Sequence, residues 1–183
     1  MTQCFHAYDA RHKSPPLHFR FIIETPPPRR IEISGIFYTI YIFSLNLHGN
    51  NLTSTAGLHF VNLIELDLSA NSISCLSGFD SLVNLKDLNL SSNLIKNIPN
   101  NTDHFKYLIS LEKLNLSYNL LVSIPGLAQL SSKNHVIQEI LLHGNCITNP
   151  NECSNALKNV RTLKFLDIKD NPIEGRDLRW IFF

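Results

Sequence analysis

The chain has 183 residues, of which 44% are hydrophobic and 17% are charged, and its formal net charge is +1. This length suits one domain of ordinary size with a buried core. A charge so close to neutral gives no electrostatic reason to expect nucleic acid or an anionic membrane as a partner.

Residues 1–32 contain no repeat, and prolines interrupt them at positions 15, 16 and 26–28. Proline fixes its own backbone dihedral and removes an N–H donor. We therefore expect an irregular, disordered arm here rather than a helix or a central strand. The proline–arginine run over 26–30 offers an alternative, which is docking on a proline-recognising domain. Met1–Arg20 also lacks the continuous apolar stretch of a secretory signal peptide.

An apolar lead-in over 33–41 follows the arm. The apolar run that contains it, from Ile33 to Leu45, has 13 residues, which is short of the roughly 20 needed to cross a bilayer. We therefore expect a buried strand that leads into the next segment, with no membrane insertion.

Residues 42–173 carry one pattern six times, L-x-x-L-x-L-x-x-N-x-L, and its best-formed copy is Leu85–Ile95. Apolar residues stand at positions one, four, six and eleven. Positions four and six alternate along a short strand and face a core, which one copy cannot bury alone, so the copies must stack. Asparagine at position nine can satisfy backbone groups that the turn leaves unpaired. The asparagines are Asn50, Asn71, Asn93, Asn119, Asn145 and Asn171.

The spacing of these asparagines is 21, 22, 26, 26 and 26 residues. The short steps leave room only for a turn or a brief 3₁₀ segment, while the longer steps can hold a helix. Two stretches have helical character, Asp103–Leu108 and Glu152–Val160, and the second follows a helix-start signal over 149–151. The last segment, 174–183, is an apolar tail. Because no polar cap is legible there, we expect the sequence to stop inside a longer protein.

Repeats two to four read L-x-x-L-x-L-S-x-N-x-[IL], as in L-D-L-S-A-N-S-I from Leu66 and L-N-L-S-S-N-L-I from Leu88. This motif resembles the short class of leucine-rich repeats typified by the phosphatase regulator SDS22, whose members are cytosolic, cytoskeletal, ciliary or nuclear binding proteins. The resemblance implies an α/β solenoid. Its chain would form a right-handed coil with short parallel strands on the concave side and 3₁₀ or short helices on the convex side.

The positions of the cysteines indicate the cellular compartment in which the protein is expected. Secreted proteins of this type commonly close their ends with cysteine-rich caps, and no such cluster is formed by Cys4, Cys75, Cys146 and Cys153. The reducing cytosol is therefore favoured. We expect a cytoplasmic protein, located more specifically at the centrosome or cilium.

The expected binding surface is the concave face, where positions three, five and seven point outwards. Its middle carries carboxylates and its C-terminal end carries apolar residues, which predicts a protein partner with a basic stretch beside an apolar one. The candidate contact residues are Glu65, Asp67, Asp87, Asn89, Lys113, Asn115, Glu139, Leu141, Phe165 and Asp167.

No sequence motif predicts catalysis, since G-x-S-x-G, the P-loop and H-E-x-x-H are all missing. His143, Cys146 and Cys153 are spread over strand, turn and helix, so we expect no metal site and no cofactor. The expected function is an intracellular protein-binding scaffold, associated with the cytoskeleton or centrosome, without a nucleic-acid or small-molecule partner. Two alternatives stay open. One is a regulatory subunit that positions an enzyme such as a protein phosphatase, and the other is an extracellular recognition ectodomain.

Overall fold

Six short parallel strands, one from each copy of the repeat, form a sheet whose strand order follows the chain. The computed structural model describes residues 42–131 and 133–173, together with the backbone of two N-terminal strands. The elements in chain order are β1 Gln3–Ala7, β2 Leu17–Ile22, β3 Ser44–Asn46, β4 Glu65–Asp67, β5 Asp87–Asn89, β6 Lys113–Asn115, a 3₁₀ helix Pro125–Ser131, β7 Glu139–Leu141, α1 Pro150–Leu157 and β8 Phe165–Asp167.

The parallel strands are in register at position four of the repeat, from Leu45 opposite Leu66 to Ile140 opposite Leu166. Positions one, four, six and eleven build one continuous core, as the sequence pattern predicts. In repeat three all four of these residues are fully buried, namely Leu85, Leu88, Leu90 and Ile95. Each coil therefore covers the apolar side of its neighbours, which is the reason the copies must stack.

A ladder of asparagine side chains connects adjacent coils. The Asn93 amide donates to the carbonyls of Leu68 and Leu90, both at 3.0 Å, and its Oδ1 accepts from the Ile73 N–H at 2.9 Å. The same arrangement recurs at Asn71, Asn119, Asn145 and Asn171. The predicted role of position nine is confirmed, and each amide also bonds to the preceding coil.

The α-helix of the convex side begins where the sequence predicts. The side chain of Asn149 caps it by accepting from the Asn151 N–H at 2.9 Å, and Pro150 occupies the first turn. None of the helices in the described part of the chain has the length and apolarity for a membrane crossing.

The helix expected over Asp103–Leu108 is wrong, because turns occupy that stretch. Only Phe105 and Leu108 are buried there. Two apolar contacts do not offset the cost of nucleating a helix, so the chain crosses the convex side in turns instead.

An antiparallel hairpin of β1 and β2 precedes the repeats. β2 also pairs antiparallel with β3, with Phe21 opposite Leu45, so the hairpin covers the N-terminal edge of the parallel sheet. The irregular arm expected over 1–32 is therefore wrong for these two segments. The sequence of β2 alternates as L-H-F-R-F, and the prolines lie outside its bounds. The rest of that arm, the lead-in over 33–41 and the tail over 174–183 lie outside the described residues.

Candidate functional site: the concave face

Three rows of side chains belong to the concave face, one for each of positions three, five and seven of the repeat. Positions three and five lie on the strands, and position seven follows the end of each strand. The sequence predicts that position seven points outwards, but Ser69 and Ser117 are buried. Row three consists of Ser44, Glu65, Asp87, Lys113, Glu139 and Phe165. Row five consists of Asn46, Asp67, Asn89, Asn115, Leu141 and Asp167. Row seven consists of His48, Ser69, Ser91, Ser117, His143 and Lys169. Because adjacent strands pair in register, residues of one row are neighbours. All ten candidate contact residues lie in rows three and five.

Row five has a structural task that the sequence analysis missed. The Oδ1 of Asn89 accepts a hydrogen bond from the Ser91 N–H at 3.1 Å. The same bond, from the residue two positions further on, is made by Asn46, Asp67, Asn115 and Asp167. These short-range turns help to end each strand. The signal for them was an Asn or Asp at position five in every copy except the one with Leu141.

The middle of the concave face is an acidic hollow. Glu65, Asp67 and Asp87 line a cavity of about 460 Å³, and Glu65 and Asp87 also line a neighbouring cavity of about 340 Å³. Two of these carboxylates have donors. The Ser44 hydroxyl donates to Glu65 at 3.1 Å, and the N–H and hydroxyl of Ser69 donate to Asp67 Oδ1 at 2.9 and 2.5 Å.

Asp87 is the carboxylate of this hollow without a hydrogen bond or ion pair to any described residue. The nearby lysines are engaged elsewhere, since Lys113 pairs with Glu139 at 3.4 Å and Lys86 pairs with Glu112 at 2.9 Å. Burial raises the pKa of Asp87 above its ordinary value of 3.8, the charge of Lys113 opposes this shift, and the surrounding carboxylates reinforce it. The negative charge of the hollow therefore favours a hydrogen-bond donor or a cation beside Asp87.

The apolar end of the concave face lies on the last two described strands. Leu141 is half-buried in β7, while Phe165 in β8 is 54% exposed. Phe165 stands three strands from Asp87 in the same row, a distance of roughly 14 Å at about 4.8 Å per strand. The acidic hollow and the apolar anchor predicted from the sequence therefore lie on one surface.

The folded chain brings together two serine–histidine–aspartate groupings that the sequence analysis did not find, because their members lie on different repeats. In the first, His143 Nδ1 lies 3.0 Å from Ser117 Oγ and 3.3 Å from Asp167 Oδ2. A catalytic triad uses one ring nitrogen for the serine and the other for the carboxylate. Here both contacts involve Nδ1, so the imidazole is not placed to pass a proton between them.

The second grouping joins Asp67, Ser69 and His48. The Ser69 hydroxyl donates to Asp67 Oδ1, so it accepts from His48 Nδ1 at 2.7 Å. In a catalytic triad the histidine accepts the serine proton, whereas here His48 donates to the serine, so this grouping lacks the triad arrangement. Ser69 is also buried. In the described part of the chain, no three His, Cys, Asp or Glu side chains cluster as metal ligands.

Comparison with known families decides the fold class. Residues 42–95 match one family described as "Leucine rich repeat", and residues 110–130 match a second with the same description. These segments coincide with strands that stack in register. The fold is a leucine-rich repeat solenoid. A search of curated protein sequences found no match.

Several solved structures are similar to this chain. A TLR13–ssRNA13 complex matches with 28% identity and a TM-score of 0.64, over 72% of this chain and 19% of that one. A leucine-rich repeat protein of Leptospira interrogans matches with 29% identity and a TM-score of 0.55, over 69% and 31%. An internalin of Listeria monocytogenes matches with 19% identity and a TM-score of 0.49, over 73% and 49%. The chain spans less than two thirds of the length of each of them.

Proposed function

We propose that this leucine-rich repeat domain is a protein-binding scaffold whose concave face takes up a partner segment with a cationic and an apolar side chain. The proposal rests on Asp87, which is half-buried and has no hydrogen-bond donor among the described residues. A desolvated carboxylate without donors costs free energy. A lysine or arginine of the partner would offset that cost with a charge-assisted hydrogen bond.

Phe165 supports the second half of the proposal. Its exposed ring lies in the same row as Asp87, roughly 14 Å away at about 4.8 Å per strand. An extended segment rises about 3.4 Å per residue. The partner is therefore expected to carry its cationic and apolar side chains about four residues apart.

The charge of the face supports a protein partner rather than a nucleic acid. The three rows hold two lysines, Lys113 and Lys169, against five carboxylates, a net charge of −3 with histidine neutral. The five carboxylates are Glu65, Asp67, Asp87, Glu139 and Asp167. Binding to a phosphate backbone relies on basic side chains. One of the similar structures is a complex with single-stranded RNA, so a fluorescein-labelled single-stranded RNA is the probe, and we expect no binding near physiological salt.

The test of the proposal uses synthetic peptides in which the spacing between one lysine and one phenylalanine is varied. Fluorescence anisotropy measures their binding to the full chain. We expect the four-residue spacing to bind best, and Asp87→Lys to weaken binding by about tenfold or more. Asp80→Lys is the matched control, because Asp80 is an exposed carboxylate outside the three rows. Unchanged binding by a folded Asp87→Lys chain would contradict the proposal.

A regulatory subunit is the second candidate function. It is favoured by the L-x-x-L-x-L-S-x-N motif of repeats two to four, which resembles the SDS22-like class. In this role the concave face would hold a phosphatase, and the complex would dephosphorylate a phosphoserine peptide after purification of the tagged chain. Loss of that activity with Asp87→Lys would favour this role. If the Asp87→Lys variant keeps the phosphatase activity, the enzyme binds a different surface of the chain.

We propose a cytoplasmic location, with the centrosome or cilium as the finer one. The support is the resemblance of Leu88–Ile95 and Leu114–Asn119 to the N-terminal repeats of centrosomal leucine-rich repeat and coiled-coil domain-containing protein 1. Imaging of the tagged full chain beside a centrosomal marker tests both levels. A diffuse cytoplasmic signal would remove the finer proposal, and secretion would remove both.

A further inference from the structure

After position nine, each coil runs along a flank that joins the concave and convex sides. Adjacent flank segments are hydrogen-bonded, since Leu120 N–H donates to Ile95 O and Val122 N–H donates to Lys96 O, both at 3.0 Å. Position eleven is buried in these repeats, and positions ten and twelve on either side of it are exposed. The exposed residues of neighbouring repeats therefore form one surface.

This surface changes character along the solenoid. In repeats one and two, positions ten and twelve are polar, and the residues are Asn51, Thr53, Ser72 and Ser74. In repeats three and four, three of the four are aliphatic. Leu94 is 46% exposed, Leu120 is 40% exposed and Val122 is 53% exposed. Because polar residues serve at the same positions of the same fold, the coil does not require the aliphatic ones. A cluster of exposed apolar side chains marks an interaction site.

Tyr118 adds an aromatic ring at the edge of this surface. It occupies position eight of repeat four, is 58% exposed, and has a φ of 54°. Position eight is a glycine in repeats one and five, where Gly49 and Gly144 also have positive φ. A residue with a Cβ loses about 1 kcal/mol or more in this left-handed conformation. Ala70, Ser92 and Asp170 hold the same left-handed conformation at position eight of repeats two, three and six, so this backbone geometry belongs to the repeat. Tyr118 differs from them because it places a large and mostly exposed aromatic side chain there.

Repeat five holds this ring in one orientation. A Cβ at Gly144 would lie 2.6 Å from Tyr118 Cδ1, so the ring packs directly onto the glycine backbone. The His143 ring meets it edge-on, with centroids 4.6 Å apart and an interplanar angle of 90°. A fixed aromatic side chain loses little conformational entropy on binding, which suits a contact anchor.

We propose that the flank patch, defined as Leu94, Lys96, Tyr118, Leu120 and Val122, binds a protein segment that combines apolar side chains with a carboxylate. This surface is separate from the concave face, and its partner has the opposite charge. The carboxylate follows from Lys96, which is exposed within the patch and forms no ion pair with any described residue. A second copy of the chain fits less well, because a two-fold contact through the patch would bring lysine towards lysine with no carboxylate between them.

The test is a phage-display selection in which random peptides are selected for binding to the full chain. The counter-selection uses the triple variant Leu94→Ser, Leu120→Ser, Val122→Thr, in which the patch is as polar as in repeats one and two. We expect the selected peptides to combine aromatic or aliphatic residues with Asp or Glu. Selection on Lys96→Glu should instead enrich Lys or Arg. Peptides that bind the triple variant as tightly as the wild type, or that lack acidic residues, would overturn the proposal.

Tyr118→Gly separates binding from folding. We expect this variant to bind the selected peptides about tenfold or more less tightly. Its melting temperature should be unchanged or raised, because glycine suits position eight. A purely structural role for Tyr118 would lower the melting temperature and leave the affinity of the folded chain unchanged. Val61→Ser is the control, since Val61 is 56% exposed outside the patch. Sedimentation measures whether the chain associates with itself. If the wild-type chain does so and Tyr118→Gly does not, the patch binds a second copy of the chain, and the proposal of an acidic partner is overturned.

Discussion

Tyr118 lies against the backbone of Gly144, which belongs to the next repeat, so closely that a Cβ at position 144 would come within 2.6 Å of the tyrosine Cδ1. Gly144→Ala is therefore expected to lose about 2 kcal/mol of unfolding free energy, from the left-handed backbone and from the contact together. Gly49→Ala is the matched control, because Gly49 has a similar φ of 67° and no atom within 4 Å of the added Cβ. It should lose about 1 kcal/mol, from the backbone alone. Equal losses in urea unfolding would contradict the contact.

Asn93 stabilises two coils at once, so its replacement should cost more than a single hydrogen bond. Asn93→Ala leaves the buried carbonyls of Leu68 and Leu90 and the N–H of Ile73 without this partner. We expect a loss of about 3 kcal/mol in urea unfolding. Asn101→Ala, at an exposed position, should change the free energy by less than about 0.5 kcal/mol. Similar losses for both variants would show that the ladder contributes little.

Asp87→Asn should make the isolated chain more stable at neutral pH. Burial raises the pKa of Asp87 above 3.8, so the folded state binds its proton more tightly than the unfolded state does. The stability that Asp87 contributes is present below its unfolded pKa and is lost as pH rises through the folded pKa. Asparagine does not titrate. The variant should therefore have the higher urea midpoint at pH 7, and the difference should vanish near the acid end. A lower midpoint at pH 7 would contradict the account of the hollow.

The described cysteines should differ in reactivity. Burial raises the pKa of Cys153 to about 11, with a further contribution from Glu152, whereas the thiol of Cys75 is exposed. Since the thiolate is the reactive form, iodoacetamide at pH 8 should modify Cys75 within minutes and leave Cys153 intact until the chain is unfolded. Mass spectrometry of the digested chain measures both. Early modification of Cys153 in the folded chain would show that α1 opens readily.

The sequence predicts those parts of the structure that the repeat dictates position by position. Leucines at fixed spacing gave the in-register strands and the core, and the asparagine at position nine gave the ladder. The helix at Pro150–Leu157 was signalled by its cap and proline. Over Asp103–Leu108 the helical character was misleading, because too few of its residues have core to pack against. The strand Leu17–Ile22 was missed because flanking prolines outweighed a short two-residue alternation.

The site was predictable only in outline. Rows three, five and seven follow from the repeat. That Asp87 has no donor among the described residues depends on Lys113 pairing with Glu139 instead, which the sequence does not specify. The contact between Tyr118 and Gly144 joins residues 26 positions apart, at positions that the pattern leaves unspecified. Such relationships between neighbouring coils appear only when the coils are stacked.

The most direct test of the central proposal, that the acidic hollow receives a cation of a partner, is a nuclear magnetic resonance titration of the full chain with the best lysine–phenylalanine peptide. We expect the largest amide shift changes along β4 and β5, around Asp67 and Asp87, with a smaller group at Phe165. Asp87→Asn should remove them, while Asp80→Asn should not. Shift changes confined to the flank around Leu94 and Leu120, or none at all at a saturating peptide concentration, would contradict the proposal.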